Sequence, residues 1–151
     1  MKKSILLLCI TLHLWATPYN IRDLVSPFDL KDQFGKIHHI DKMPQTMIIA
    51  FEKGIGSVVN EYLAKQNRKY LDQYNAIFVV DTSTIPNFIV QYFGIPKLQK
   101  YSYSVLLSND GVFTHHFLSQ KGKITVIKFK ENTINSISFV SSPDELKKAI
   151  E

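Results

Sequence analysis

The chain has 151 residues, 45% of them hydrophobic, and a formal net charge of +5. That length suffices for one domain burying about two-thirds of its unfolded surface. The charge excess is too mild to argue for nucleic acid, and the single cysteine, Cys9, excludes an internal disulfide framework.

Met1-Lys2-Lys3 is a basic start, Ile5 to Trp15 is mostly apolar, and Leu14-Trp15-Ala16 offers a cleavage point after Ala16. This is the layout of a secretory signal peptide over residues 1–16. The apolar run falls short of the ~20 residues of a membrane-spanning helix. Cys9 suggests a lipoprotein site, but Leu7-Leu8 is not the small-residue pair that such a site wants. Cleavage after Ala16 leaves residues 17–151 with no thiol, lowers the net charge to +3 and predicts export, to a periplasm first and outside the cell second. No later run is long enough to span a membrane.

In chain order, Phe28 to Ile40 reads as a small hairpin around Gly35, and Thr46 to Phe51 as a central strand buried on both faces. Ser57 to about Tyr70 follows as a helix with Val59 and Leu63 on its apolar stripe. Ala76 to Val80 is a strand ending at Asp81. Ile85, Phe88, Ile89, Tyr92 and Phe93 have helical spacing, so a second helix is predicted to stop at Gly94. Tyr103 to Leu107 is a third strand of this run. Ile124 to Lys130 and Ile134 to Val140 form a hairpin around Glu131-Asn132-Thr133. Ser142, Pro143 and Glu145 then open a final helix as cap, first residue and capping-box partner. Crossover helices imply parallel strands and the closing hairpin adds antiparallel ones, which predicts an α/β fold with a mixed central sheet and helices on both faces.

Two stretches resemble the thioredoxin-like superfamily. Phe28-Asp-Leu30-Lys-Asp32-Gln33-Phe-Gly35-Lys36 is similar to the F-x-L-x-D-x-x-G-K opening of redoxins and peroxiredoxins, and Ile124 to Leu146 looks like the closing β-β-α. The resemblance implies a dithiol at the junction between the Thr46 strand and the next helix, where a helix N-terminus stabilises a thiolate. Gly54-Ile55-Gly56-Ser57 stands there instead. It also implies a cis-proline before the fourth strand, where Lys123-Ile124-Thr125 is found. The stretch at about 97–123 is longer than the basic fold needs, so one inserted strand is expected. In a second register Tyr103 to Ser108 is the fourth strand and Tyr103 replaces the proline.

Lys53, Gly54, Ile55, Gly56 and Ser57 are therefore the first candidate site, with Lys123, Ile124 and Thr125 opposite. Ser57 as a nucleophile lacks a G-x-S-x-G setting, and a helix cap is its simpler role. Gly54-Ile-Gly56 lacks the third glycine of a dinucleotide loop, but helix-start amides beside Lys53 offer an anion site. His38, His39, His115 and His116 are the candidate metal ligands, with Asp41 or Asp110 to complete a set. Lys121, Lys123, Lys128 and Lys130 form a basic run suited to protecting an edge strand or docking an acidic partner. The insert's Tyr101, Tyr103, Phe113 and Phe117 suit either a core or an interface.

The expectation is a redox-inactive thioredoxin-like module of the cell envelope that binds a protein or peptide, without a cofactor. The alternative is a metal-binding or non-thiol enzymatic protein built on the histidine pairs. Without a cysteine in residues 17–151, dithiol exchange and thiol-based peroxide reduction are not expected, since the thiolate is the nucleophile in both.

Overall fold

A computed structural model describes residues 17–151. The expected signal peptide, with Cys9 and the cleavage point after Ala16, lies outside the described residues.

Seven strands form one sheet in the order β2-β1-β5-β4-β3-β6-β7. Strands β1 (Phe28–Asp32) and β2 (Ile37–Ile40) make the opening hairpin, and Gly35 takes a φ of +79° in its turn. β3 (Thr46–Ala50) is buried along its whole length, as a central strand covered on both faces must be. β4 (Ala76–Asp81) lies parallel to it, and β5 (Leu106–Ser108) lies parallel to β4. On the other side β6 (Ile124–Lys130) and β7 (Thr133–Val140) continue the sheet antiparallel. The inserted strand is thus β5, slightly later than Tyr103 to Leu107. Because β6, not β5, lies antiparallel to β3, the late hairpin is the closing pair and the second register is set aside. β5 also pairs with β1, so it is the strip that joins the opening hairpin to the rest of the sheet.

Alternating side chains sort the core into two layers. Ile48, Phe78 and Val126 face helices α1 (Lys53–Leu63), α2 (Tyr70–Gln73) and α5 (Pro143–Ile150) through Val59, Leu71 and Leu146. Met47, Val79 and Ile127 face the other way, toward Val25, Phe117 and Phe113 beside the short 3-10 turn Thr114–His116. The two helical layers are therefore unequal. The insert's aromatics are core residues of both: Tyr101 stacks on Tyr103 at 5.3 Å on the first face, and Phe113 lies 4.4 Å from Phe28 on the second.

Helix α5 begins as its sequence specifies. Ser142 Oγ accepts from the Glu145 N–H at 3.3 Å, while Glu145 Oε2 accepts from the Ser141 N–H at 2.7 Å.

Two helices differ from expectation. α1 starts at Lys53, four residues before Ser57, and ends at Leu63 rather than near Tyr70. Nor does Gly94 end the second helix. α3 (Asn87–Ile89) passes through a π-helical segment, Val90–Gly94, into α4 (Ile95–Leu98), and Gly94 itself is helical. Pro96 explains the widening: it has no N–H to give and its ring crowds the carbonyl of the preceding turn, so a wider turn lets the chain continue. The apolar stripe is largely uncovered, with Phe88 60%, Tyr92 76% and Phe93 69% exposed. No helix among the described residues is long and apolar enough to cross a membrane.

Candidate functional site

The strand-to-helix junction is built by β3 delivering Glu52 in extended backbone and α1 starting at the next residue. The Glu52 carbonyl accepts the first helical bond, from the Gly56 N–H at 2.9 Å. Its carboxylate does not cap its own helix. Instead, Glu52 Oε1 accepts from the backbone N–H of Gly122 at 2.7 Å, tying the junction to the turn before β6.

Lys53 and Gly54 are exposed, Ile55 and Ser57 are half-buried, and Gly56 is buried. A Cβ at Gly54 would meet nothing within 4 Å, whereas one at Gly56 would rest on Ala50 and Val80 at 3.8 Å. Ser57 is a turn inside the helix rather than at its cap, and its Oγ donates to the Lys53 carbonyl at 3.3 Å. With its hydroxyl turned back on the helix it is hydrogen-bonded to no base among the described residues.

On the facing side, Lys123 is half-buried and its Nζ donates to Ser141 Oγ. Ile124 and Thr125 are buried, and Thr125 Oγ1 donates to the Leu118 carbonyl at 3.1 Å. These two form the floor rather than the surface of the edge. No peptide bond among the described residues is cis, so Ile124 follows Lys123 in the ordinary trans form. The sequence-predicted segments are therefore brought together, through Glu52 and Gly122. Neither was singled out beforehand, because a glutamate and a turn glycine 70 positions apart leave no local pattern.

The histidines are not brought together as a metal set. His38 Nε2 sits 2.8 Å from Asp32 Oδ2, and His39 Nδ1 sits 2.8 Å from Asp29 Oδ1. His116 packs against the Tyr19 ring at 5.6 Å, and His115 is exposed. Among the described residues no group of three or more His, Cys, Asp or Glu could hold a metal ion.

Charge at the basic run is also partly spoken for. Lys128 reaches inward, donating to Thr46 Oγ1 at 2.9 Å and to the Ile150 carbonyl at 3.0 Å, and burial lowers its pKa. At the hairpin, burial alone would raise the Asp32 carboxyl. The His38 hydrogen bond and the N–H groups of Phe34 and Lys36 outweigh it and hold that carboxyl below its ordinary value.

Gln33, from the same turn, is 1% exposed. Its Nε2 donates to the Tyr103 carbonyl and its Oε1 accepts from the Val105 N–H, both at 2.8 Å. The opening motif thus locks the inserted segment in place: Asp32 shapes the turn and Gln33 grips the stretch before β5.

A sheet with β3, β4 and β5 parallel, the antiparallel closing pair β6 and β7, and α1 rising from the end of β3 is the thioredoxin-like fold. Solved structures agree. The chain is similar to peroxidoxin BcpB from Mycobacterium tuberculosis, with a TM-score of 0.55 at 17% identity over 86% of this chain and 93% of that one. It is similar to StoA from Bacillus subtilis, with a TM-score of 0.52 at 17% identity over 85% and 100% of the two chains. The thioredoxin domain of a thiol-disulfide oxidoreductase from Bacteroides vulgatus gives 0.52 at 10% identity over 88% and 99%. No protein-family model and no curated protein matches the sequence. At the junction after β3, Gly54 to Ser57 contain no cysteine.

Proposed function

We propose that residues 17–151 form an exported, redox-inactive thioredoxin-like module of the cell envelope. It sits in the periplasm and binds a protein or peptide. Its docking edge is Lys53 to Ser57 together with Lys123, with Ile124 and Thr125 as floor. The observation that carries this reading is the 2.7 Å bond from Gly122 to Glu52, which holds both halves of that edge in one place although no thiol is there to use it. Thioredoxin-like neighbours that include a thiol-disulfide oxidoreductase support the ancestry of the edge. The missing cysteines remove the nucleophile of that chemistry.

Capture of a partner from an envelope extract by the parent and by Gly54→Glu tests it. Gly54 has open space around it, and a glutamate in the first helical turn suits the helix dipole, so the variant stays folded. A partner held by the parent and lost by Gly54→Glu supports the edge. A partner held equally by both places the surface elsewhere, and insulin-disulfide reduction by the purified protein would refute redox inactivity.

A further inference from the structure

Behind the junction, the inner side of α1 walls a cavity of about 270 Å³. Val80 and Thr82 at the end of β4 close its base, and Ile85, Ile89 and Phe93 of the crossover form its far wall. The volume is just below the roughly 300–1,000 Å³ typical of small-molecule sites. Among the residues that line it, the only ionisable groups are Lys53 and Lys97, both exposed cations.

The polar complement is one-sided. Asn60 lines the cavity and is 5% exposed. Its Oδ1 is engaged by the Tyr103 hydroxyl at 2.9 Å, while its amide nitrogen has no partner among the described residues. Ser108 Oγ is the one sealed side-chain polar atom left without a partner among the described residues, so the Asn60 N–H₂ still reaches solvent and is free to donate to an acceptor brought into the cavity. Ser57 Oγ donates to the Lys53 carbonyl and Thr82 Oγ1 donates to Asn109 Oδ1 at 2.8 Å. Apolar walls, one free amide donor and two cations suit an anion with an apolar tail.

We propose that this cavity binds an aliphatic monocarboxylate of medium chain length, its hydrocarbon between α1 and the Ile85–Phe93 wall and its carboxylate toward the Asn60 amide, Lys53 and Lys97. The carboxylate supplies the acceptor and the negative charge that the site lacks, and a short chain suits the volume. The site shares Lys53, Gly56 and Ser57 with the docking edge, but it stands whether or not a protein partner is captured.

The test is titration of the protein with sodium octanoate, below its micelle concentration, by calorimetry and by nuclear magnetic resonance of the Asn60 side-chain amide. One saturable site that shifts the Asn60 N–H₂ resonances is expected. The exposed pair Lys53→Ala/Lys97→Ala should fold normally and weaken octanoate by about tenfold at low salt. Ile89→Glu should abolish binding, and Phe93→Ala, at an exposed position, should weaken it if Ile89→Glu fails to fold. 1-Octanol should bind more weakly than octanoate and ignore the lysine changes. Failure of octanoate to saturate, equal affinity in parent and lysine variant, or octanol matching octanoate would overturn the proposal. So would an acidic apolar peptide that binds where octanoate does not, which would make the cavity part of a protein-docking surface.

Discussion

Glu52, the residue immediately before helix α1, accepts a hydrogen bond from the backbone N–H of Gly122 at 2.7 Å across 70 positions of sequence. An N-cap position that leaves its own helix uncapped and instead holds a distant turn trades local stability for the shape of the edge. Replacing it should show this separation. Glu52→Ala is expected to cost no more than about 1.5 kcal/mol, because both groups are exposed. Hydrogen exchange should nevertheless show the Gly122 amide losing protection while β3 and β6 keep theirs. Glu52→Gln, which retains an acceptor, should restore most of it.

Asp32 makes the opening hairpin acid-sensitive. Its folded pKa lies below the ordinary 3.8, so the carboxylate contributes stability that is complete above that value and is lost as pH falls through the folded one. Thermal melts of the parent between pH 5 and pH 2, roughly the span from above the ordinary carboxylate pKa to well below it, should fall steadily. Asp32→Asn should start lower at neutral pH and change less on acidification. Parallel acid limbs for the two proteins would show that Asp32 is not the group responsible.

Gln33→Leu should cost about 2–4 kcal/mol in urea unfolding, since it strands the buried Tyr103 carbonyl and Val105 N–H. An apolar side chain of similar size fills the space but cannot answer either backbone group. The loss should be felt most in β5, the element next to those contacts.

Gly111 is strained for any other residue, with φ at +72° and a notional Cβ only 2.8 Å from Ser83 Oγ. Gly111→Ala is expected to cost about 2–3 kcal/mol from the left-handed backbone and the clash together. Combining it with Ser83→Ala should recover part of this by removing the oxygen, leaving the backbone share and the 3.1 Å approach to the Cβ of residue 83. Full recovery would mean that the backbone conformation relaxes.

How much could be read from the residues follows from the range of the signals. The hairpin around Gly35, the buried strand Thr46–Ala50, the closing β6–β7 pair and the Ser142 cap were legible, because each is written in adjacent residues. The stripe was legible as a helix from Phe88 to Phe93, but not as an exposed one, and Ile85 falls in the bend before the helix starts at Asn87. Helical spacing says which residues share a face, and nothing in it says whether another element covers that face. Gly94 misled because Pro96, two residues on, is accommodated by a π-helical turn instead of ending the helix. Ser57 lay outside the cap because Lys53 to Gly56 were helical already, despite two glycines that favour coil. At the junction, the two segments were expected to face each other and their fastening was not foreseen: Glu52, Gly122 and the free Asn60 amide depend on tertiary contacts.

The three-residue strand β5 has a consequence for how the molecule is made. The hairpin β1–β2 reaches the rest of the sheet through β5, so the first described strands to be made have no further sheet neighbour until about seventy more residues are synthesised, roughly 4–14 seconds at 5–20 residues per second. A two-stranded hairpin alone is marginal in water. The opening segment must therefore wait as an unfinished edge until β5 arrives to join it.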